Sequence, residues 1–311
     1  MDISVIICTY NRCDSLRVTL CSLFALHLSD GISAEVIVID NNSKDDTKKV
    51  ADEFAVDSPL PFRYFLESRQ GLSFARNRGI EEARGEVLAF IDDDVIVDRN
   101  WLKALCAAYR DRSVACVGGK IHPRWEIPCP SWLKRELHNY LALLDLGQER
   151  IRMTEPGLWG ANLSFRADVF KKYGLFATGL GRTAGKLYGM EEVNLVKRLI
   201  DAGEGVYYVP EVFLRHCIGA NRMQKAYFRK WEFDAGELEG LLLGDYPHRN
   251  LFGVPLFEVK ETFRIFKRWL AAKLSRSEQS FYEELSLVKK AGFMSGRLKV
   301  YRSPKTEGGM A

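Results

Sequence analysis

Between residues 3 and 117, short apolar runs alternate with segments of helical period. Strands are expected over residues 3–8, 34–39, 62–66, 87–91 and 114–117, and helices over 14–26, 45–54, 72–83 and 99–109. In the first helix Leu16, Leu20, Leu23 and Phe24 share one face. Near-continuous apolar strands separated by helices predict a mostly parallel sheet covered on both sides. In such sheets ligands bind beyond the carboxyl ends of strands. Thr9, Asp40 and Asp92 each fall just past such an end, so the pattern already brings them together.

The pattern changes after residue 120. Pro123, Pro128 and Pro130 with Trp125 read as a loop over residues 121–130. Residues 131–146 read as an amphipathic helix with Ser131 as N-cap. Strands follow at 159–165 and 206–209, with a helix between them at 191–202 that opens on Glu191 and Glu192, which suits the helix dipole. Gly179, Gly181, Gly185 and Gly189, with Arg182 and Lys186 among them, predict a flexible loop of the lid kind just before those acids. From Met223 the chain reads as helical and basic. Val259, Phe263, Phe266, Leu270 and Leu274 recur among Lys260, Arg264, Lys267, Arg268 and Lys273. Periodicity does not separate a helix packed on the domain from one lying on an anionic membrane.

A chain of 311 residues with 47% hydrophobic side chains allows one large domain or a domain with an appendage. Its 45 basic and 41 acidic residues leave a net charge of +4, too mild to argue for nucleic acid. No apolar run reaches membrane-spanning length, and the first one is short and lacks a basic lead, so neither a span nor a signal peptide is expected. Seven cysteines, an odd number with no C-x-x-C spacing, argue against a disulfide framework or a zinc site and for reduced thiols in the cytosol.

The densest chemical signal is Asp92-Asp93-Asp94. Three like charges at one strand end cost free energy unless something neutralises them. A hard divalent cation holding a polyphosphate does so; an acidic turn is the plainer alternative. Other chemistries lack support. The first strand–helix turn, Cys8-Thr-Tyr-Asn-Arg12, has no G-x-G-x-x-G, and no P-loop is present. Asp40 to Asp45 fails as a calcium loop because Lys44 falls where an oxygen ligand belongs. Neither Ser73 nor Ser164 sits in a nucleophile elbow.

An ordered set of motifs resembles the family 2 glycosyltransferases: Ser4-Val-Ile-Ile-Cys-Thr-Tyr-Asn-Arg12, Val36-Ile-Val-Ile-Asp-Asn-Asn-Ser43, Gly71-Leu-Ser-Phe-Ala-Arg-Asn-Arg-Gly79, Gly85-Glu-Val-Leu-Ala-Phe-Ile-Asp-Asp-Asp94, Trp159-Gly-Ala-Asn-Leu-Ser-Phe165 and Gly189-Met-Glu-Glu-Val-Asn-Leu-Val-Lys-Arg-Leu199. The resemblance implies a GT-A fold, α/β with a Rossmann-like, mostly parallel sheet flanked by helices. It implies a glycosyltransferase domain over residues 1–220, with a nucleotide-binding half (1–118) and an acceptor-binding half (119–220). Residues 221–311 form a helical basic extension. It further implies an inverting enzyme using Mg²⁺ or Mn²⁺ and a nucleotide-sugar donor, UDP-sugar first, with a glycan or lipid-linked acceptor. Thr9, Asn11, Arg12, Asp40, Arg76, Asp92 and Asp93 would face the nucleotide, and Asp94 with His216 the metal. Taken alone, Arg76 reads as readily as a solvated helix residue, Asp40 as a turn former with Ser43, and His216 as a structural histidine. The family's Glu-Asp pair is Glu191-Glu192 here, so by register Glu192 takes the catalytic-base position, with Glu191 as fallback; the extra methylene changes its reach by about 1.5 Å. The Q-x-x-R-W motif of processive synthases is missing, since Tyr227 stands four residues before Trp231, which implies one sugar per encounter. The cysteine pattern implies a cytoplasmic protein, and the basic tail a peripheral one at the inner face of the membrane if it touches lipid. Two rivals stay open: a non-catalytic nucleotide- or glycan-binding scaffold, and a sugar-1-phosphate nucleotidyltransferase, whose Gly-rich basic loop the first turn does not supply.

Overall fold

Ile3–Thr9 (β1) is buried almost throughout, as a strand covered on both faces must be. It pairs in parallel with Ala34–Asp40 (β2) on one side, and Phe62–Leu66 (β3) extends that side. Cys13–Phe24 (α1), Thr47–Val56 (α2) and Leu72–Glu82 (α3) make the crossovers. Val87–Asp92 (β4) pairs in parallel with the other side of β1. Register sets Thr9 opposite Asp40 and Cys8 opposite Asp92, so the polar strand ends share one rim. The structure is a computed structural model describing residues 1–27, 31–182, 185–187, 189–243, 246 and 249–302.

The sheet continues through Val95–Val97 (β5), Trp101–Ala108 (α4), Val114–Trp125 (β6), Ile151–Arg152 (β7), Asn162–Arg166 (β8), Ala167–Tyr173 (α5), Glu191–Asp201 (α6) and Gly205–Ile218 (β9). Its order is β3-β2-β1-β4-β8-β6-β9-β5, with β7 on β9. β8 runs antiparallel between β4 and β6, which makes the sheet mixed. Phe90, Phe165, Phe170 and Phe176 fill one layer of core with ring centroids 5.4–6.2 Å apart.

Three local expectations are corrected. Residues 121–125 are not loop: they prolong β6 and pair in parallel with Leu214–Ile218, Pro123 lying opposite His216. β9 likewise runs past Val209 to Ile218, with a register shift around Pro210, so His216 sits within a strand. Residues 131–146 do not form a long helix. Only Arg135–Leu141 turns, in 3-10 geometry, and Ala142 ends it at φ 51°. Leu144 then bridges to Ile121 through two backbone hydrogen bonds of 2.8 and 3.0 Å, which draws the chain into extended pairing.

Contacts divide the described residues into two units: Met1–Cys129, Leu133–Ala184 and Met190–Ala220 in one, Pro130–Trp132, Gly185–Gly189 and Asn221–Ala311 in the other. The second unit holds Lys225–Leu242 (α7), the short ladder Asn250–Leu251 (β10) with Val254–Pro255 (β11), Leu256–Leu274 (α8) and Gln279–Arg302 (α9). α7 and α9 meet backbone to backbone. Gly236 and Gly240 face Gly292 and Gly296, and a methyl on any of the four would overlap a carbonyl oxygen of the other helix. Glu237 lies beside this seam. Burial alone would raise its carboxyl, yet hydrogen bonds from Lys186, Lys299 and Ser295 bring it down to about 2.

Candidate active site

The rim formed by β1, β2 and β4 carries the acids. Cys217 N–H donates to the Asp94 carbonyl (2.8 Å), which fastens the acidic turn to β9 beside His216. Asp93 is 4% exposed, and both of its oxygens are engaged: Thr9 Oγ1 donates to Oδ2 (2.7 Å) and Arg12 Nη1 to Oδ1 (2.8 Å). Burial raises its carboxyl to about 6, Arg12 pulling down and Asp94 pushing up. Asp94 faces two ways. Oδ2 accepts from Arg12 Nη1 at 2.8 Å, while Oδ1 lies 3.0 Å from His216 Nε2.

His216 is buried in β9, and its Nδ1 lies 2.8 Å from the Leu141 carbonyl. A carbonyl only accepts, so Nδ1 carries a proton, and Nε2 is the ring nitrogen left to face Asp94. When Nε2 is unprotonated, it and Asp94 Oδ1 are placed to share a cation. Ligand atoms of Asp92, Asp94 and His216 all lie within 4.8 Å of one another. Two carboxylates and one imidazole fit Mn²⁺ well, and Mg²⁺ less well because of the nitrogen.

The neighbouring strand end is wired by polar side chains. Asp40 Oδ1 accepts from Ser43 N–H (2.8 Å), forming a tight turn, and Oδ2 accepts from Tyr64 Oη (2.7 Å). Asn11, at φ 52°, ties the first loop to the second: its N–H donates to Ser43 Oγ and its Oδ1 accepts from Lys44 N–H. Sequence reasoning missed Asn41, which is buried. Its Nδ2 donates to the Arg69 carbonyl (2.7 Å), and its Oδ1 accepts from Gly71 N–H (2.8 Å) at the start of α3. A polar residue directly after a wholly buried strand was the available signal.

Arg76 is not solvated. It is buried on α3 and crosses to the head of α6, where Nη1 lies 2.9 Å from Glu191 Oε1 and 3.6 Å from Glu192 Oε2. Gly160 leaves the room, because a methyl there would collide with the guanidinium. Glu191 is 1% exposed, and its Oε2 has no hydrogen-bond partner among the described residues. Burial raises its carboxyl to about 7, Glu192 pushing the same way and Arg76 and Arg182 opposing. Glu192 keeps 15% of its side chain exposed. Arg76 also feels Asp92 electrostatically, though its ion pairs are with Glu191 and Glu192. Of the glycine-rich segment before α6, Thr183, Ala184 and Tyr188 lie outside the described residues. Arg182 accepts Leu72 N–H through its carbonyl (2.9 Å).

The family model described as Glycosyl transferase family 2 matches residues 4–174, and the chain belongs to that family. It is 26% identical over 302 residues to the succinoglycan biosynthesis protein ExoM of Rhizobium meliloti (strain 1021), covering 96% of this chain and 93% of that one. To the glucosyl-dolichyl phosphate glucuronosyltransferase of Haloferax volcanii it is 28% identical over 224 residues, 70% of this chain and 69% of the other. The fold matches the mannosyltransferase PcManGT of Pyrobaculum calidifontis, solved with GDP-Man and Mn²⁺, at a TM-score of 0.62 and 16% identity over 96% of this chain and 86% of that one. It also matches S. aureus TarS 1-349 with UDP-GlcNAc at 0.52 and 17%, over 78% and 67%. The architecture is GT-A.

Proposed function

We propose that this enzyme moves one sugar from a nucleotide-sugar donor, a UDP-sugar first, to a hydroxyl of a glycan or lipid-linked acceptor, with inversion. The observation carrying this reading is the convergence of Asp92, Asp94 and His216 at the rim, with Arg76 ion-paired to Glu191 and Glu192 at a helix head. Thr9, Asn11, Arg12, Asp40 and Asp93 border the nucleotide end, with Asp92 nearest the ribose. Asp94, Asp92 and His216 would hold Mn²⁺ or Mg²⁺, which when bound neutralises charge on the leaving diphosphate. Glu192, the less buried acid, takes the acceptor proton as the hydroxyl attacks the far face of the anomeric carbon. Glu191 is the fallback base, and Arg76 keeps the pair oriented. Residues 1–118 serve the donor and 119–220 the acceptor. In the second half, a cavity of about 280 Å³ is lined by His122, Arg135, His138 and Asp145.

The setting we propose is bacterial cell-surface polysaccharide or glycolipid synthesis. Succinoglycan in the name of one relative and dolichyl phosphate in that of another support it. No described helix is long and apolar enough to cross a membrane. On α8, however, Phe263, Phe266, Leu270 and Leu274 are exposed on one face beside Lys260, Arg264, Lys267 and Lys273. That face supports peripheral contact with the inner, anionic side of a cell membrane. The test is a thermal-shift panel of UDP, GDP, CDP and dTDP with and without Mn²⁺. Metal-dependent stabilisation by one nucleotide is expected. No shift with any of them, in folded protein, would leave a non-catalytic scaffold as the better reading.

A further inference from the structure

One cation is built into the acidic rim. Arg12 Nη1 alone spans Asp93 Oδ1 and Asp94 Oδ2, each at 2.8 Å. Asp93 serves as the anchor: with Thr9 on its other oxygen, it stands apart from the Asp92, Asp94 and His216 set. Asp94 thus belongs to an ion pair through one oxygen and to the cation site through the other. A divalent ion held there would meet the guanidinium charge across a single buried carboxylate, where repulsion is weakly screened. The Arg12 side chain is 44% exposed, so an incoming anion can reach it from solvent.

We propose that Arg12 is a resident countercharge that keeps the divalent-cation affinity of the donor-free protein low and makes it depend on the arrival of a diphosphate. It offsets one of the three charges of Asp92, Asp93 and Asp94 until the donor's own negative charge takes over that balance. Metal and nucleotide then bind as one cooperative unit, and by linkage each raises the other's affinity by the same factor. This rests on the reading that Asp92, Asp94 and His216 hold the metal. The opposing view, in which Arg12 merely braces Asp94 as a ligand, predicts the reverse sign.

The experiment is a Mn²⁺ titration followed by the EPR signal of the free ion, with and without UDP, on wild type, Arg12→Gln and Arg12→Lys. Arg12→Gln is expected to bind Mn²⁺ alone about tenfold more tightly, and to lose a similar factor of the tightening that UDP brings. Arg12→Lys keeps the charge and is expected to stay near wild type. Equal or weaker Mn²⁺ binding by Arg12→Gln overturns the proposal while leaving the metal reading intact. Absence of Mn²⁺ binding in both wild type and Arg12→Gln, with UDP or without, overturns both. Should Arg12→Gln fail to fold, Arg12→Met takes its place: tighter Mn²⁺ binding without UDP supports the proposal, and equal or weaker binding overturns it.

Discussion

Glu191 and Glu192 are adjacent in sequence and unlike in setting. Glu191 is enclosed against Arg76 at 2.9 Å, whereas Glu192 lies 3.6 Å from it and keeps 15% of its side chain exposed. Glu192→Gln is therefore expected to keep the Mn²⁺-dependent thermal shift with nucleotide while turnover falls by about 10²–10⁴, measured as nucleotide diphosphate released. Arg76→Met strands a buried carboxylate, and urea unfolding at pH 8 is expected to show a loss of about 3–5 kcal/mol. The pH dependence follows from Glu191. Its folded pKa, about 7, lies above the ordinary 4.5, so the folded state binds the extra proton between those values. Its contribution to stability is full below the lower value and is lost as pH rises through the upper one. Glu191→Gln should flatten that part of a stability–pH profile; an unchanged slope would mean the carboxyl ionises normally. At this scale the sequence exposed the acids and His216 but not their partners. Arg76 and Glu191 are 115 positions apart, and burial decides that they pair. Asp93 is told from its neighbours by Thr9 on one oxygen, while it shares Arg12 with Asp94.

The elements of the first half were legible because each parallel strand is one short apolar run between helices of clear period. Beyond residue 117 the same reasoning stopped strands too early. Proline reads as a break, yet Pro123 lies within β6 and Pro210 coincides with a register shift in β9. β5, only three residues long, gives no period at all. The helices of the tail were visible, but the glycine spacing on α7 and α9 passed unnoticed, since glycine counts against a helix when read alone. In the folded pair those glycines permit close approach. Gly236→Ala and Gly292→Ala gain about 1 kcal/mol in helix propensity. They are nonetheless expected to lower stability by about 1–3 kcal/mol through overpacking, read by thermal melting. A rise in melting temperature would mean that the helices stand further apart than described.

Across the whole molecule, the net charge of +4 conceals local imbalance. The exposed face of α8 joins large apolar side chains to lysine and arginine, whereas the Asp92–Asp94 turn is acidic. Co-sedimentation with anionic vesicles is expected, weakening with added salt and with Phe263→Ser and Phe266→Ser, while neutral vesicles retain less protein. Binding indifferent to lipid charge and to these substitutions would remove the membrane contact. The class of reaction was readable from ordered motifs, whereas the sugar and acceptor depend on loop geometry that no motif encodes.

Holding His216 by the Leu141 carbonyl has a consequence for how this site weathers mutation. A side-chain partner vanishes with one codon change; a main-chain carbonyl survives any substitution that preserves the turn. Ring orientation at His216 is thus insured by chain path rather than by residue identity, and Leu141 is free to drift among apolar side chains while Ala142, at φ 51°, guards the bend.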